Sequence, residues 1–370
     1  MVAALAVTGN PSSVHAHGRA ARAVVEKARD QVARLMRAKP DQVIFTSGAT
    51  EANTLALWGA VEGAIDRSET EKTARITRLF VSAIEHSSVL KTAQAVAERV
   101  AGVRLEILPV TADGVLDLEA LRVALREGKG RALVAVMAAN NETGVIQPVA
   151  EISRLCREAG ALLLVDAVTA AGKIDLDAGL CDYMTLSAHK LGGPQGAGAL
   201  VVSDEAPLVP QLTGGGQQKG LRAGTENLSG IAGFGAAVES ALADAGEQAR
   251  VAAVRDHFEQ ALRARLPDAV IFGEGAPRLG NTSNVTLPGL SSQNIVIALD
   301  LDGVMVSSGS SCSSGKIAPS HVLSAMGVAD DLAGASIRVS FGWNSTDQDA
   351  DAVVASLEKL AARARARAAA

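Results

Sequence analysis

Four short motifs of this chain carry residue types that can do chemistry. In SAHKLGGPQGAG (187–198), Lys190 follows an apolar run and precedes a glycine-rich turn. A lysine that is held there and partly desolvated can lose its proton and form a Schiff base with an aldehyde. Taken alone, a lysine after a strand is more often an ordinary one, so its neighbours in the fold must decide its role.

The motif FTSGATEAN (45–53) turns through Gly48 into a predicted helix whose first turn contains Ala49, Thr50 and Glu51. Free backbone N–H groups and a hydroxyl at a helix N-terminus can bind a phosphate group. A simple helix cap is the alternative, since threonine is a good capping residue. The motif alone leaves both interpretations open.

Two further motifs place an acid and an imidazole after apolar runs. In VDAVTAAGK (165–173), Asp166 ends a strand where an unpaired carboxylate would be costly to bury, and a protonated ring nitrogen would relieve that cost. In EHSSV (85–89), His86 could stack on a flat ring and transfer protons, although a lone histidine usually has a structural place. With Lys190 and a phosphate site, these groups form the set that a pyridoxal cofactor requires.

The elements that must position these motifs are short apolar runs, which alternate with amphipathic stretches between residues 40 and 205. Runs that are hydrophobic on both faces and separated by helices predict an α/β domain with a buried, mostly parallel sheet flanked by helices. The carboxyl ends of its strands would bring the motifs to one edge. The predicted strands cover residues 42–46, 78–83, 131–139, 162–167, 183–188 and 198–202.

The pattern changes after Gly216. An alanine-rich helical segment (229–266) precedes shorter strands at 284–288 and 336–341, which indicates a smaller α+β C-terminal domain. We predict that residues 14–244 form the large domain, and that residues 1–13 and 245–370 form the small one.

The composition excludes several classes of protein. Hydrophobic residues make up 48% and charged residues 20%, which is typical of a globular chain rather than a disordered one. The net charge of −5 provides no basic field for nucleic acid or an anionic membrane. No apolar run approaches the roughly 18 residues of a membrane span, and the start of the chain makes a poor signal peptide. Three scattered cysteines are too few for a disulfide framework or a zinc cluster, so we expect a cytoplasmic protein without a metal.

Taken together, the motifs resemble the cysteine desulfurases of the NifS/IscS branch of the class V aminotransferases, which are pyridoxal-phosphate enzymes of fold type I. The resemblance covers almost the whole chain. Besides the four motifs above, it includes NPSSVHAHGR (10–19), NNETGVIQP (140–148), GGGQQKGLRAGTEN (214–227), SSGSSCSSG (307–315) and SIRVSFG (336–342).

This resemblance implies a role for each matching position. Lys190 would form a Schiff base with pyridoxal 5'-phosphate, His86 would stack on its ring and transfer protons, and Asp166 would pair with its ring nitrogen. Thr225 would reach the phosphate from a partner subunit, which implies a homodimer. The other phosphate ligands would be Ala49, Thr50, Ser187 and His189.

The substrate would be L-cysteine, with its carboxylate bound by Asn141 and by the planar guanidinium of Arg338. Cys312 lies among small residues without apolar periodicity, which is typical of a loop with a reactive thiol rather than of a packed cysteine. The family reaction would leave alanine, with the sulfur on Cys312 as a persulfide. A sulfur-acceptor or iron–sulfur scaffold protein would then receive it. We expect Cys156 and Cys181 to be structural.

This chain departs from the family pattern at two places. Thr169 stands where the branch usually has a glutamine that donates to the cofactor's phenolic oxygen, and its shorter side chain would need a bridging water. Family members also usually have a segment like YLDxxATTP before the NPSS motif, whereas MVAALAVTG precedes Asn10 here. If that segment is truly missing, we expect cofactor retention to be weaker than is usual in the family.

Two alternative functions remain open at this stage. Another class V enzyme, such as an aminotransferase or a selenocysteine lyase, would use the same lysine and aspartate without needing Cys312. A non-catalytic scaffold that docks sulfur-acceptor proteins would keep the fold but form no alanine from cysteine.

Overall fold

The computed structural model describes residues 1–70, 75–243, 246–309 and 319–368. The chain divides into two compact units. The larger unit contains residues 1–108, 118–138 and 148–244, and the smaller unit contains residues 109–117, 139–147 and 245–370. Residues 1–13, which we expected in the small domain, belong to the larger unit because the first helix packs against a helix of that unit.

The larger unit is built on a seven-stranded sheet with the order β1-β7-β6-β5-β4-β2-β3. Its strands are β1 (Val43–Thr46), β2 (Ile76–Ser82), β3 (Arg104–Leu108), β4 (Arg131–Met137), β5 (Leu162–Asp166), β6 (Tyr183–Ser187) and β7 (Gly198–Val202). Four of the six pairings in this sheet are parallel, and β7 is antiparallel to both of its neighbours. The sheet confirms the predicted α/β class with mostly parallel strands.

The larger unit has two helices before β1, and its other helices follow strands of the sheet. They are α1 (Val2–Leu5), α2 (Ala16–Leu35), α3 (Ala49–Thr70), α4 (Ser87–Arg99), α5 (Leu118–Arg126), α6 (Val149–Glu158) and α7 (Leu228–Ala243). The apolar faces of α3 and α4 pack against alternate residues of the strands, such as Leu133 and Ala135 of β4. Alternate residues of a strand share one face, so this cluster covers one side of the sheet.

The smaller unit has a four-stranded antiparallel sheet with the order β10-β11-β9-β8. Its strands are β8 (Val270–Ile271), β9 (Thr282–Thr286), β10 (Ser307–Ser308) and β11 (Ile337–Ser340). Its helices are α8 (Glu247–Arg265), α9 (Ser292–Leu301), α10 (His321–Ala325), α11 (Asp330–Ala335) and α12 (Asp347–Ala368). The apolar faces of α8, α9 and α12 form one core with β9 and β11.

The alanine-rich helical segment predicted over residues 229–266 forms two helices, α7 and α8, which belong to different units. Among the helices of the described residues, none is long and apolar enough to cross a membrane.

Candidate active site

The motif FTSGATEAN (45–53), for which a phosphate site was predicted, forms the turn from β1 into α3. Ala49 and Thr50 are the first two residues of α3, where backbone N–H groups have no acceptor within the helix. Glu51 closes this turn, since its carboxylate accepts hydrogen bonds from the backbone N–H of Ser47 (2.9 Å) and from its hydroxyl (2.5 Å). The turn therefore presents a helix N-terminus and the exposed Thr50 residue.

Close packing of β7 against this turn requires a glycine. A Cβ atom added at Gly198 would lie 2.6 Å from the Cα atom of Gly48, a distance that real side chains do not tolerate. Any other residue at position 198 would push β7 away from the start of α3. The glycine thus fixes the position of the turn relative to the sheet.

Lys190 lies on a short 3-10 turn, Ala188–Leu191, directly after β6. The Nζ atom of Lys173 donates to the backbone oxygens of Thr169 (2.9 Å) and Lys190 (3.2 Å), which ties this turn to the one after β5. Lys190 itself is exposed, so the described chain does not provide the partial desolvation that we expected. Glycines follow it in sequence, and they carry no side chains that could cover it.

Ser187 directly precedes this turn, and His189 lies within it. The Ser187 hydroxyl lies 2.8 Å from Nδ1 of His189, so the two predicted phosphate ligands form one pair. Burial, and then the positive charge of Lys190, lower the pKa of His189. A neutral imidazole at this position can donate one hydrogen bond and accept another.

Asp166 is the last residue of β5 and is buried. Its Oδ2 atom accepts a hydrogen bond from the side-chain amide of Asn53 (2.9 Å), and its Oδ1 atom accepts one from the backbone N–H of Val168 (3.0 Å). Burial raises the pKa of Asp166, while these hydrogen bonds and the nearby His86 oppose that shift. A cationic group beside this carboxylate would stabilise its ionised form.

His86 is the N-cap residue of α4, and its Nδ1 atom accepts a hydrogen bond from the backbone N–H of Ser88 (3.1 Å). Its neighbour Glu85 is fully buried and accepts a hydrogen bond from the backbone N–H of Met137 (2.6 Å). Burial, and then the negative charge of Asp166, raise the pKa of Glu85 well above its ordinary value. The acid, the imidazole and Asp166 therefore form one electrostatically connected group.

Thr225 lies on the segment 214–227, which is anchored to the turn at the start of α3. Arg222 donates to the carboxylate of Glu51 at 2.8 and 3.3 Å. The side-chain oxygen of Gln218 accepts from the backbone N–H of Phe45 (2.9 Å), although Gln218 has a positive φ of 46°. These contacts hold the segment in place, and Thr225 itself is exposed.

In the smaller unit, the structure brings Asn141 and Arg338 together. Arg338 lies on β11, and its Nη1 atom donates to the backbone oxygen of Asn141 (2.7 Å). Its Nε atom is buried and has no acceptor among the described residues. A guanidinium with an unused donor is suited to a carboxylate ligand, which accepts two parallel hydrogen bonds from it.

Glu142 is buried beside this pair and accepts a hydrogen bond from the hydroxyl of Ser320. Burial raises the pKa of Glu142, while the Ser320 hydroxyl and the charges of His321 and Arg338 oppose the shift. Ser320 also caps the N-terminus of α10. Arg338 is therefore surrounded by a defined polar group of its own unit.

Cys312 lies outside the described residues, so the structure does not test its predicted role. The other two cysteines do not form a disulfide with each other. Burial, and then the charge of Asp182, raise the pKa of Cys156 to about 12 and also raise the pKa of Cys181. Because the thiolate is the reactive form, both cysteines are unreactive thiols near neutral pH.

Comparison with known proteins decides the family. The family model described as aminotransferase class-V matches residues 4–353, which is most of the chain. The chain belongs to the class-V aminotransferase family. The fold type I architecture that we predicted for a member of this family is confirmed by its structural relatives.

Within the class-V family, the relatives are cysteine desulfurases, as the resemblance predicted. A cysteine desulfurase from Cereibacter sphaeroides is 42% identical over 97% of this chain and 90% of its own length. The cysteine desulfurase IscS from Dictyoglomus turgidum is 36% identical over 96% of this chain and 88% of its own length. A solved NifS-like protein from Rickettsia africae is 30% identical, with a TM-score of 0.85 over 97% of this chain and 93% of its own.

The described residues fit the pyridoxal cofactor that class-V enzymes use. The larger unit offers a helix N-terminus for a phosphate and a lysine on the turn after β6. It also offers a buried carboxylate whose pKa is raised by burial, and a cationic ring nitrogen would offset that cost. Among the described residues there is no group of three or more His, Cys, Asp or Glu residues that could hold a metal ion.

Sequence reasoning missed several polar residues that hold the predicted site together. Asn53 donates hydrogen bonds to Asp166 and Ser88. The Ser88 hydroxyl contacts His86, and the Thr185 hydroxyl donates to Asn53. Asn53 and Ser88 lie inside motifs that were already recognised, so their polar character was the available signal. A buried polar residue needs a partner, but its spacing in the sequence does not say which partner it has.

A substitution of Arg338 tests its predicted contact with the substrate. We expect Arg338→Ala to raise the KM for L-cysteine about a hundredfold, since hydrogen bonds between charged groups are strong, and to lower kcat far less. Arg338→Lys should recover part of the loss, because lysine keeps the charge but not the planar fork. Steady-state kinetics give both constants, with the exposed Arg365→Ala as a control. An unchanged KM in Arg338→Ala would remove this residue from the substrate site.

Proposed function

We propose that this protein is a cysteine desulfurase, which converts L-cysteine to L-alanine and transfers the sulfur to Cys312 as a persulfide. Its relatives at 36–42% identity carry that name and align with nearly the whole chain. The observation in the structure that carries the proposal is the buried carboxylate of Asp166 at the end of β5. A carboxylate held there by two hydrogen bonds is suited to a protonated ring nitrogen.

Pyridoxal 5'-phosphate is the cofactor in this proposal. When bound, it supplies an electron-withdrawing ring that makes bonds next to the substrate's amino group easier to break. Asp166 would hold the ring nitrogen, His86 would stack on the ring, and Lys190 would bind the aldehyde carbon. Thr225 would contact the phosphate of the partner subunit's cofactor in a homodimer. The remaining phosphate ligands would be Ala49, Thr50, Ser187 and His189.

The substrate would be held by its carboxylate and attacked at its sulfur. Asn141 and Arg338 would bind the carboxylate of L-cysteine. The thiolate of Cys312 would form a bond to the substrate sulfur, while the bond from that sulfur to Cβ breaks and its electron pair stays with carbon. A proton added at Cβ completes L-alanine, and no external oxidant or reductant is needed. His86 and the acids around it could hold protons for this exchange.

In this proposal, transfer of sulfur from the persulfide requires a partner protein. A sulfur-acceptor protein or an iron–sulfur scaffold protein would accept the sulfur from Cys312, in support of cluster assembly or thiolation. We propose a cytoplasmic location for this activity. The proposal needs neither nucleic acid nor a membrane.

One experiment tests the proposed function directly. Purified protein is supplied with pyridoxal 5'-phosphate, L-cysteine and a reductant, and alanine and sulfide are measured together. We expect equal amounts of both, and without reductant we expect the peptide that contains Cys312 to gain the mass of one sulfur atom. Absence of alanine under these conditions would rule out the desulfurase and favour a scaffold without catalysis. An aminotransferase would also form no alanine and no sulfide from cysteine alone, but it would transfer the amino group to an added α-keto acid and leave 3-mercaptopyruvate.

A further inference from the structure

A single buried amide connects Asp166 and His86. Asn53, on the second turn of α3, is fully buried and makes three side-chain hydrogen bonds. Its Nδ2 atom lies 2.9 Å from Oδ2 of Asp166 and 3.0 Å from Oγ of Ser88. Its Oδ1 atom lies 2.7 Å from Oγ1 of Thr185.

The surroundings of Asn53 fix the orientation of its amide. The Asp166 carboxylate can only accept hydrogen bonds in its ionised form, so the amide nitrogen must face it. The amide oxygen then faces the hydroxyl of Thr185, which donates to it. The amide has two N–H groups, and the second one points to Ser88 Oγ.

The hydroxyl of Ser88 links the amide of Asn53 to the ring of His86. Its oxygen accepts from Asn53, and it lies 2.8 Å from Nδ1 of His86. The backbone N–H of Ser88 also donates to this Nδ1 atom at 3.1 Å, and a backbone N–H can only donate. The Nδ1 atom must therefore be an acceptor, and the Ser88 hydroxyl is its second donor. In a neutral imidazole with an accepting Nδ1, the proton is on Nε2.

We infer that Asn53 is a positioning residue for both Asp166 and His86, an inference that rests on the proposed function. It holds the Asp166 carboxylate directly and orients the Ser88 hydroxyl, which together with the backbone N–H of Ser88 keeps the proton of the neutral His86 ring on Nε2. Asp166 is proposed to face the cofactor's ring nitrogen, and His86 is proposed to stack on the ring. Both are thus positioned by Asn53. Loss of Asn53 would disturb both at once.

The tautomer of His86 is the first test, and it does not depend on activity. The protein is labelled with ¹⁵N-histidine, and the His86 signals are identified by their loss in His86→Gln. Above the pH at which the ring is protonated, we expect Nδ1 to show the chemical shift of an unprotonated nitrogen and Nε2 that of a protonated one. The reverse pattern in wild-type protein would overturn the inference.

The second test is a double-mutant cycle on the cofactor-loaded enzyme with Asn53→Leu and Ser88→Ala. We expect each single variant to lower kcat about tenfold, because each removes a hydrogen bond to the shared network. The double variant should be no slower than the slower single variant, since residues in one network are not additive. Asn53→Leu alone should also weaken cofactor binding, because Asn53, unlike Ser88, donates a hydrogen bond to Asp166. Ser87→Ala, at the neighbouring helix position, should stay within about twofold of wild type.

The outcomes separate this inference from the proposed function. A double variant whose loss equals the product of the two single losses would overturn the shared support, even if the wild type makes alanine. A wild-type protein that makes no alanine would overturn the proposed function. The tautomer measurement would still test the hydrogen bonds that join Asn53, Ser88 and His86. If Asn53→Leu does not fold, Thr185→Val replaces it in the cycle, because it removes the hydroxyl that orients the amide.

Discussion

Lys190→Ala is expected to reduce alanine formation from L-cysteine by at least about a thousandfold. The variant enzyme would lose both the covalent bond to the cofactor and the amine that can transfer protons. Proton transfer alone contributes a factor of about 10²–10⁴ to a rate. The lysine lies on the turn Ala188–Leu191, which is held by a backbone hydrogen bond from Gly193 to Ala188 and by the side chain of Lys173. The variant should therefore fold normally. Activity, cofactor absorbance and thermal stability are measured on the same preparation.

Borohydride reduction shows whether Lys190 is the residue that binds the cofactor. In wild-type protein, reduction followed by peptide mass analysis should place the cofactor on Lys190. Lys190→Arg should behave like Lys190→Ala, since a guanidinium keeps the charge but is a poor amine nucleophile at neutral pH. Lys91→Ala removes an exposed lysine of α4 and should change nothing. Labelling of a different lysine in wild-type protein would contradict the assignment of the site.

The hydrophobic pattern of the strands predicted most of the sheet in the larger unit. Two features of that sheet were not predicted, and both have clear physical causes. The strand β3 (Arg104–Leu108) was missed because it is at the edge of the sheet and mostly exposed, so it lacks a continuous apolar run. The antiparallel direction of β7 was not foreseen either. The connection from β6 to β7 spans residues 188–197, which is shorter than the dozen or more residues that a parallel crossover needs. Connection length was therefore a usable signal.

Some features of the site were likewise predictable from sequence patterns, whereas others depend on tertiary contacts alone. Motifs at strand ends placed Asp166 and Lys190 at their observed positions, because strand ends are readable from hydrophobicity. The contact between Asn53 and Asp166 joins residues 113 positions apart, and no periodicity predicts it. Whether a lysine is covered likewise depends on what surrounds it in space. Lys190 was expected to be partly desolvated and is exposed.

Cys312→Ala is expected to abolish sulfide release, with a loss of at least about a thousandfold, which is the scale seen when an enzyme loses its nucleophile. Cysteine should still bind, because its carboxylate contacts would involve Asn141 and Arg338 rather than the thiol. The spectral change of the cofactor on addition of cysteine should therefore persist while alanine and sulfide do not form. This separation of binding from turnover follows from the proposed role of Cys312 as the acceptor of sulfur.

The other two cysteines provide the matched control, because their thiols have raised pKa values and little reactive thiolate. Cys156→Ala and Cys181→Ala should keep wild-type kcat and form the persulfide, with at most a small loss of thermal stability from the buried Cys156. An active Cys312→Ala variant would favour the alternatives that share the lysine and aspartate. Undiminished alanine formation with sulfide, or selenide from selenocysteine, would indicate a lyase. Transfer of the amino group to an α-keto acid would indicate an aminotransferase. The activity of the Cys312→Ala variant therefore distinguishes the desulfurase from the lyase and the aminotransferase.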